Sequence, residues 1–423
     1  MKKTNNRSNT KNTKNTKNTK NANKTSNTHE FLYEIPTQIL STDYQHADNV
    51  VNCAATTIKK LIASEEIVVV APMQSGKTEV MKRLIYLVNK YNNQIKSLNV
   101  NIDRNNIYVI LCASSINLKN QHKDKLSEIR NKIYHLNDIY HIIKNIHEYN
   151  DILTIMADAS LIIFDECHCD VEQEKLIDRF RKLLNNVASQ NETSYKCIGF
   201  SATPYEQIAV NYPKVVMNPG PNYYGITDMF ESVMLNNDAY QIIFPSMNLA
   251  DANECAKFFS LIDICNYYYI IRLSNKKDAE DNIINNINKQ FKAINVKIDT
   301  YIYDMYYGGN INELLENKPI KPTIIYLKDK LRMGEYLNTE NVFLVHDDPN
   351  NTYAHTTAQS LLGRCCGYNK KSHQVLIFCD IDKASQHYDW IVNNYDIDHI
   401  PHNTKYINRY GEIKNKCIFS VMD

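Results

Sequence analysis

A chain of 423 residues, 43% of them hydrophobic, is long for one core and has enough apolar material for two. No run approaches the roughly 18 uninterrupted apolar residues of a membrane helix. The polar, basic N-terminus lacks the apolar segment of a secretory signal, and eleven scattered cysteines make no disulfide framework in so large a chain, so an intracellular protein with no membrane partner is expected.

The formal net charge of +1 conceals an asymmetry. Residues 1–28 hold seven Lys, one Arg and no acid, which leaves 40 of the 48 basic residues against all 47 acidic ones in the rest. Any basic track for a polyanion must therefore be confined to one face or cleft of the body. The tail itself is low complexity, "TKNTKNTKNTKN" from Thr10 to Asn21, and buries too little apolar surface to offset its ordering entropy. It is expected to be disordered, either as an arm that holds polyanions by counterion release or as an Asn/Lys-rich extension of AT-rich coding.

From Phe31 apolar runs alternate with segments long enough for helices. "IVVVA" (67–71), "IYVILCA" (107–113), "SLIIFDE" (160–166) and "KCIGFSA" (196–202) read as strands, separated by stretches such as "TEVMKRLIYLVNKY" (78–91) and "INLKNQHKDKLSEIRNKI" (116–133), each read as one helix. A second series follows: "YYYIIRL" (267–273), "TIIYL" (323–327), "VFLVH" (342–346) and "QVLIFCD" (374–380). The pattern predicts α/β architecture with two parallel-sheet domains, at 29–235 and 236–423. The connecting stretch, from about Tyr212 to Asn248, is expected to be irregular and holds "MNPGPNYYG" (217–225), in which two prolines flank Gly220.

Between the first strand and its helix stands "APMQSGKT" (71–78). Gly76 lets the backbone approach phosphates, the first amides of the helix point at an anion, Lys77 places a cation near the β- and γ-phosphates, and Thr78 offers a hydroxyl to Mg²⁺. Gln74, Ser75, Gly76, Lys77 and Thr78 are the expected nucleotide contacts, with the long amide of Gln74 near the γ-phosphate where many such loops have glycine. The strand "LIIFD" then delivers Asp165 and Glu166 to the C-terminal edge of a parallel sheet, where ligands sit. Asp165 can hold Mg²⁺ opposite Thr78, and Glu166 can deprotonate an attacking water. The adjoining Cys167, His168 and Cys169 admit a metal-cluster reading, but no second Cys/His pair stands nearby at ligand spacing. A third strand end carries "GFSATP" (199–204).

This order of motifs resembles the superfamily 2 helicases and translocases, which carry a GKT loop, a DEx(H/D) box and a SAT motif in the first of two RecA-like domains. Here those are Gly76-Lys77-Thr78, Asp165-Glu166-Cys167-His168 and Ser201-Ala202-Thr203. The resemblance covers about residues 50–390 and implies two tandem RecA-like domains, ATP and Mg²⁺ as cofactors, and a single-stranded or duplex nucleic acid as partner. It also implies roles for particular residues. Ser114, Ser115 and Gln121 would touch the nucleic-acid backbone; His168, Ser201 and Thr203 would couple the nucleotide state to domain closure. "TTAQSLLGRCCGY" (356–368) resembles the family's Q-x-x-G-R-x-x-R motif, so Arg364 would reach the γ-phosphate from the second domain. Gln359 stands one residue too far upstream, and Gly367 occupies the place of the second arginine. "LKDKLRMGEYL" (327–337) is similar to motif V and "IIRLSN" (270–275) weakly to motif IV.

DNA is favoured over RNA because the Gln-Ser-Gly-Lys-Thr loop and the Gly-Arg-x-x-Gly-Tyr ending look more like DNA-processing branches than the DEAD-box RNA group. Separately, the composition is similar to that of proteins from large AT-rich DNA viruses, with which the cytoplasm or the viral factory of an infected host is compatible. Other readings stay open. One is a catalytically weak scaffold or the ATPase subunit of a nuclease, replication or repair complex. Another is a P-loop nucleoside kinase, since "APMQSGKT" is similar to the thymidine-kinase loop.

Overall fold

The computed structural model describes residues 47–401 and the short strands Lys405–Ile407 and Ile413–Asn415, excepting 113–115, 168–170, 210, 235–240, 275, 305, 308, 329–330, 332–334, 349–353 and 369–373. The tail at 1–28, Ser114, Ser115, His168, Cys169 and Gly334 thus lie outside the described residues. Among the described residues no helix is long and apolar enough to cross a membrane.

Six strands form the first sheet: β1 (Glu66–Val70), β2 (Ile107–Leu111), β3 (Ile133–His135), β4 (Leu161–Asp165), β5 (Lys196–Ser201) and β6 (Lys214–Val216). Their order is β3-β2-β4-β5-β1-β6, and every neighbouring pair is parallel. Strands β2 and β4 are buried at every position, which is why their sequences are apolar runs as far as Asp165 at the end of β4. Alternate residues serve opposite faces. Val69, Val109 and Ile163 pack with Val50, Leu61 and Leu84 of the helices Ala47–Ala63 and Lys77–Lys90. On the other face Ile110, Ile162 and Phe164 pack with Ile139, Leu153 and Phe180.

The second sheet repeats the plan with β7 (Gln241–Pro245), β8 (Tyr268–Arg272), β9 (Asp299–Tyr303), β10 (Thr323–Leu327), β11 (Val342–His346) and β12 (Val375–Cys379). The order β7-β12-β11-β8-β10-β9 is again parallel throughout. Ile270, Ile325 and Ile377 line one face, and Tyr269, Tyr326 and Phe378 the other. Two parallel sheets, each enclosed by helices, make the chain a tandem RecA-like α/β protein.

The expected single helix over 116–133 is three elements instead: a helix at Ile116–Lys125, a 3-10 turn at Ser127–Lys132, and β3. Ile129 leaves helical geometry (φ −120°, ψ 23°), and Leu126, Ile129 and Ile133 turn into the core beside Val109. Burial of those three side chains decides the break against the helical propensity of the run.

At the C-terminal edge of the second sheet, Arg272 at the end of β8 donates from Nε to Asp347 Oδ1 (2.6 Å) and from Nη2 to Ser360 Oγ (3.0 Å). Asp347 Oδ2 accepts from the amide of Leu361 (3.3 Å), which fixes the start of the helical turn Leu361–Arg364. Arg272 and Asp347 are 8% and 0% exposed, so removing one partner strands a buried charge. Asp347→Ala is expected to cost about 3–5 kcal/mol of stability, read as a lowered urea midpoint for a transition of otherwise similar slope.

Candidate nucleotide site

The chain leaves β1 at Val70 and turns through Ala71–Gly76 into the helix that starts at Lys77. Gly76 adopts φ 107°, a conformation glycine enters without a Cβ penalty, and so the helix amides follow the turn directly. Gln74 is also left-handed (φ 54°), at a cost of order 1–3 kcal/mol that the surroundings must impose. Those surroundings are visible. The Ala71 amide donates to the Ser201 carbonyl (2.9 Å), Tyr223 Oη donates to the Met73 carbonyl (2.6 Å), and Tyr368 Oη donates to the Ser75 carbonyl (3.0 Å). Gln74 Nε2 donates to the Arg364 carbonyl at 3.0 Å. The Gln74 amide is therefore turned toward the Arg364 segment, and the loop is held by residues from both halves of the chain.

Lys77 Nζ stands 2.6 Å from Glu166 Oε1, with the two side chains 13% and 4% exposed. Thr78 is half-buried in the first turn of the same helix. Asp165 ends β4 and its Oδ2 lies 3.0 Å from His122 Nε2. The other ring nitrogen, His122 Nδ1, is 2.9 Å from the Leu118 carbonyl, so both face oxygen acceptors. Burial alone would lower the His122 pKa, but the close Asp165 carboxylate outweighs it and raises the pKa. Burial pushes Asp165 up, yet His122 and then Lys77 hold its carboxyl below the usual range. Asp165 Oδ1 is buried and has no hydrogen bond among the described residues. Glu166 sits at φ 53°, a second left-handed non-glycine residue beside the first.

Ser201 and Thr203, at the end of β5, are fully buried. The Thr203 amide donates to Ser201 Oγ (2.9 Å), and Thr203 Oγ1 accepts from Gln359 Nε2 (2.7 Å). The register offset of Gln359 thus does not keep it from the SAT segment. Tyr205, just beyond, hydrogen-bonds His387 Nδ1 (2.5 Å) and packs edge-on against Trp390 at 4.7 Å. Arg364 is 4% exposed and donates from Nη1 to the Glu335 carbonyl (2.7 Å) and from Nη2 to the Gln359 carbonyl (2.8 Å). Burial lowers its pKa, with the charges of Glu166 and Glu335 opposing that shift. Gly363 is required by crowding, since a Cβ there would lie 2.2 Å from the Ala358 carbonyl oxygen and 3.0 Å from Met73 Cγ.

Lys77, Asp165 and Glu166 are thus gathered at one end of the first sheet, Ser201 and Thr203 on the adjoining strand end, and Arg364 where the second sheet meets the loop. Gln121 is half-buried on the helix Ile116–Lys125. No group of three His, Cys, Asp or Glu able to hold a metal is present among the described residues. Buried His122 went unnoticed in the sequence, where nothing in its spacing distinguishes it from neighbouring polar helix residues.

A parallel α/β fold that joins a phosphate loop to paired carboxylates defines a P-loop nucleotide hydrolase. Residues 52–210 match the family model described as DEAD/DEAH box helicase, so the first α/β unit is a helicase-type ATPase domain. It is 54% identical over 391 residues to the uncharacterized protein L594 of Acanthamoeba polyphaga mimivirus, covering 92% of this chain and 100% of that one. Among solved structures it is similar to the E. coli DExH-box NTPase HrpB (TM-score 0.47, 14% identity, 80% of this chain) and to the DUF1998 helicase MrfA bound to DNA (TM-score 0.47, 14% identity, 87% of this chain). The chain spans 42% and 56% of the lengths of those two proteins.

The contact of Gln74 with the Arg364 carbonyl leads to a prediction. Gln74→Gly removes one hydrogen bond and relieves the left-handed strain, so ATP affinity is expected to change by no more than about tenfold, the size of one 0.5–1.5 kcal/mol hydrogen bond. Titration with a fluorescent ATP analogue checks this, and complete loss of binding would refute it.

Proposed function

We propose that the chain is a nucleic-acid-dependent ATPase that couples ATP hydrolysis between its two RecA-like domains to movement along a strand, with DNA favoured over RNA. The observation that carries this reading is the Lys77–Glu166 ion pair beside Asp165 at the strand ends, roofed by the Gly363–Arg364 segment of the second domain. The preference for DNA rests on the loop and Gly-Arg sequences noted above. A nuclease, replication or repair complex is a setting compatible with a motor of this kind.

In this reading Gly76 and the first helix amides receive the phosphates, with Gln74 and Ser75 shaping the loop, and Lys77 transfers its charge from Glu166 to the β/γ-phosphates. Glu166, no longer neutralised by Lys77, orients the attacking water and accepts its proton. The donor set fits Mg²⁺: Thr78 supplies a hydroxyl and Asp165 a carboxylate whose buried Oδ1 lacks a hydrogen bond among the described residues. Mg²⁺, when bound, would neutralise charge developing on the phosphates. Thr203, tied to Gln359, and Ser201, tied to Thr203, link the strand end to the second domain. Arg364 would approach the γ-phosphate only after leaving the carbonyls of Glu335 and Gln359. His168, Ser114 and Ser115 keep the coupling and nucleic-acid roles that the resemblance implies, together with Gln121.

The deciding experiment measures ATP turnover of the full chain alone and with single-stranded DNA, duplex DNA and single-stranded RNA. Stimulation by a nucleic acid, abolished by Lys77→Ala, is the expected result. Absence of turnover under every condition would end the motor reading, and phosphorylation of a nucleoside would replace it with a kinase.

A further inference from the structure

Asp165 is contacted by a residue from outside the loop and the acidic box. His122 projects from the helix Ile116–Lys125 and is 3% exposed. Its Nδ1 is anchored on the carbonyl of Leu118, one helical turn back, at 2.9 Å, and that contact fixes the plane of the ring. Nε2 then lies 3.0 Å from Asp165 Oδ2, an ion-pair contact outside hydrogen-bond alignment. The backbone of Asp165 is fixed separately, its carbonyl accepting from the Cys112 amide at 3.0 Å. What remains undetermined by the strand is rotation of the carboxylate about its own axis, and the His122 contact is what removes it. Oδ1 is left buried and without a hydrogen bond among the described residues. A buried carboxylate oxygen in that condition is costly unless a further partner takes it up.

We infer that His122 is a positioning residue that holds Asp165 by one oxygen so that the other stays presented to the divalent cation accompanying the nucleotide. This rests on the nucleotide-hydrolase reading of the site and adds to it a residue from outside the motifs. The physical logic is that of outer partners in metal sites generally: a ligand that must otherwise find its orientation loses entropy on binding, and one already oriented does not.

The full chain and its variants His122→Leu and His122→Gln test the inference at one fixed pH. Leucine fills a similar volume without a donor, whereas the glutamine amide can donate to Asp165. A fluorescent ATP analogue is titrated with and without Mn²⁺ or Mg²⁺, and Mg²⁺ is titrated in the ATPase assay. In His122→Leu the metal-dependent gain in nucleotide affinity is expected to shrink by about 10–100-fold, with metal-free affinity unchanged, and His122→Gln is expected to recover most of it. The proposal is overturned if folded His122→Leu keeps the wild-type metal dependence, or if its metal-free affinity falls equally. It is also overturned if a folded His122→Gln fails as the leucine variant does, or if the wild-type chain binds the analogue with no metal effect. Should His122→Leu not fold, the glutamine variant decides: wild-type metal dependence supports the inference and a large loss overturns it. Metal-dependent binding without any turnover, by contrast, would count against the hydrolase reading and leave the role of His122 in place.

Discussion

Glu166→Gln is expected to lower ATP turnover by roughly 10²–10⁴, the usual contribution of a general base, while ATP binding is preserved or tightened. The substitution keeps the shape of the side chain and its capacity to accept a hydrogen bond at Oε1. It removes the negative charge that now stands 2.6 Å from Lys77 Nζ. On the proposed mechanism that charge competes with phosphate for Lys77, so its removal would favour the nucleotide complex, and the same removal would deprive the attacking water of its base. Lys77→Ala should do the opposite to binding, because the cation itself is gone. The pair of variants therefore separates the two functions assigned to one ion pair. Turnover within tenfold of wild type in Glu166→Gln, measured with saturating nucleic acid, would move the base to another residue. The left-handed backbone at position 166 (φ 53°) gives the experiment a further control. Glutamine adopts that conformation no more easily than glutamate, so a lowered melting temperature cannot be blamed on the turn.

The elements legible in the sequence are those whose composition and chemistry coincide. β1 and β4 carry the apolar runs 67–70 and 161–164, followed by the glycine-containing loop and by two carboxylates, and a parallel sheet buried on both faces needs such strands. β3, β6, β7 and β9 were not legible. β3 and β6 are three residues long; β7, "QIIFP", is a short edge strand that falls with β6 inside the stretch 212–248 expected to be irregular; and β9, "DTYIY", is an edge strand with exposed Thr300, Tyr301 and Ile302, so none carries a strong pattern. The site divides along the same line. Lys77, Asp165 and Glu166 declare themselves by local spacing, whereas the contact of Gln359 with Thr203 joins residues 156 positions apart and depends on how the two sheets meet. His122 reaches Asp165 from the polar helix Ile116–Lys125, in whose sequence nothing local marks it out. Tertiary contacts of this sort have no local period, and a single sequence does not carry them.

Arg364 brings both kinds of information together, and its substitution is expected to have the largest combined effect on activity and stability. Resemblance makes it the γ-phosphate arginine; geometry makes it a buried strut donating to the Glu335 and Gln359 carbonyls. Hydrogen bonds to a charged donor contribute about 1.5–3 kcal/mol each, so Arg364→Ala is expected to destabilise the second domain by several kcal/mol. Arg364→Lys keeps the charge and loses the planar fork that meets two carbonyls at once. It should lose less stability than alanine and yet nearly as much activity, since a lysine cannot both stay on the carbonyls and reach a phosphate. If the arginine acts on the phosphate, ATP turnover falls by roughly 10³–10⁵ in both variants, at temperatures where thermal melts show the lysine variant fully folded. If it is a strut alone, turnover in Arg364→Lys tracks the folded fraction and recovers on cooling. The Gln359 carbonyl adds a third readout, because the Gln359 side chain holds Thr203 at 2.7 Å. Losing the arginine loosens Gln359, and with it the contact between the SAT segment and the second domain. Stimulation by nucleic acid should therefore fall further than the basal rate, and equal losses in the two rates would mean that Gln359 and Thr203 do not transmit the state of the cleft.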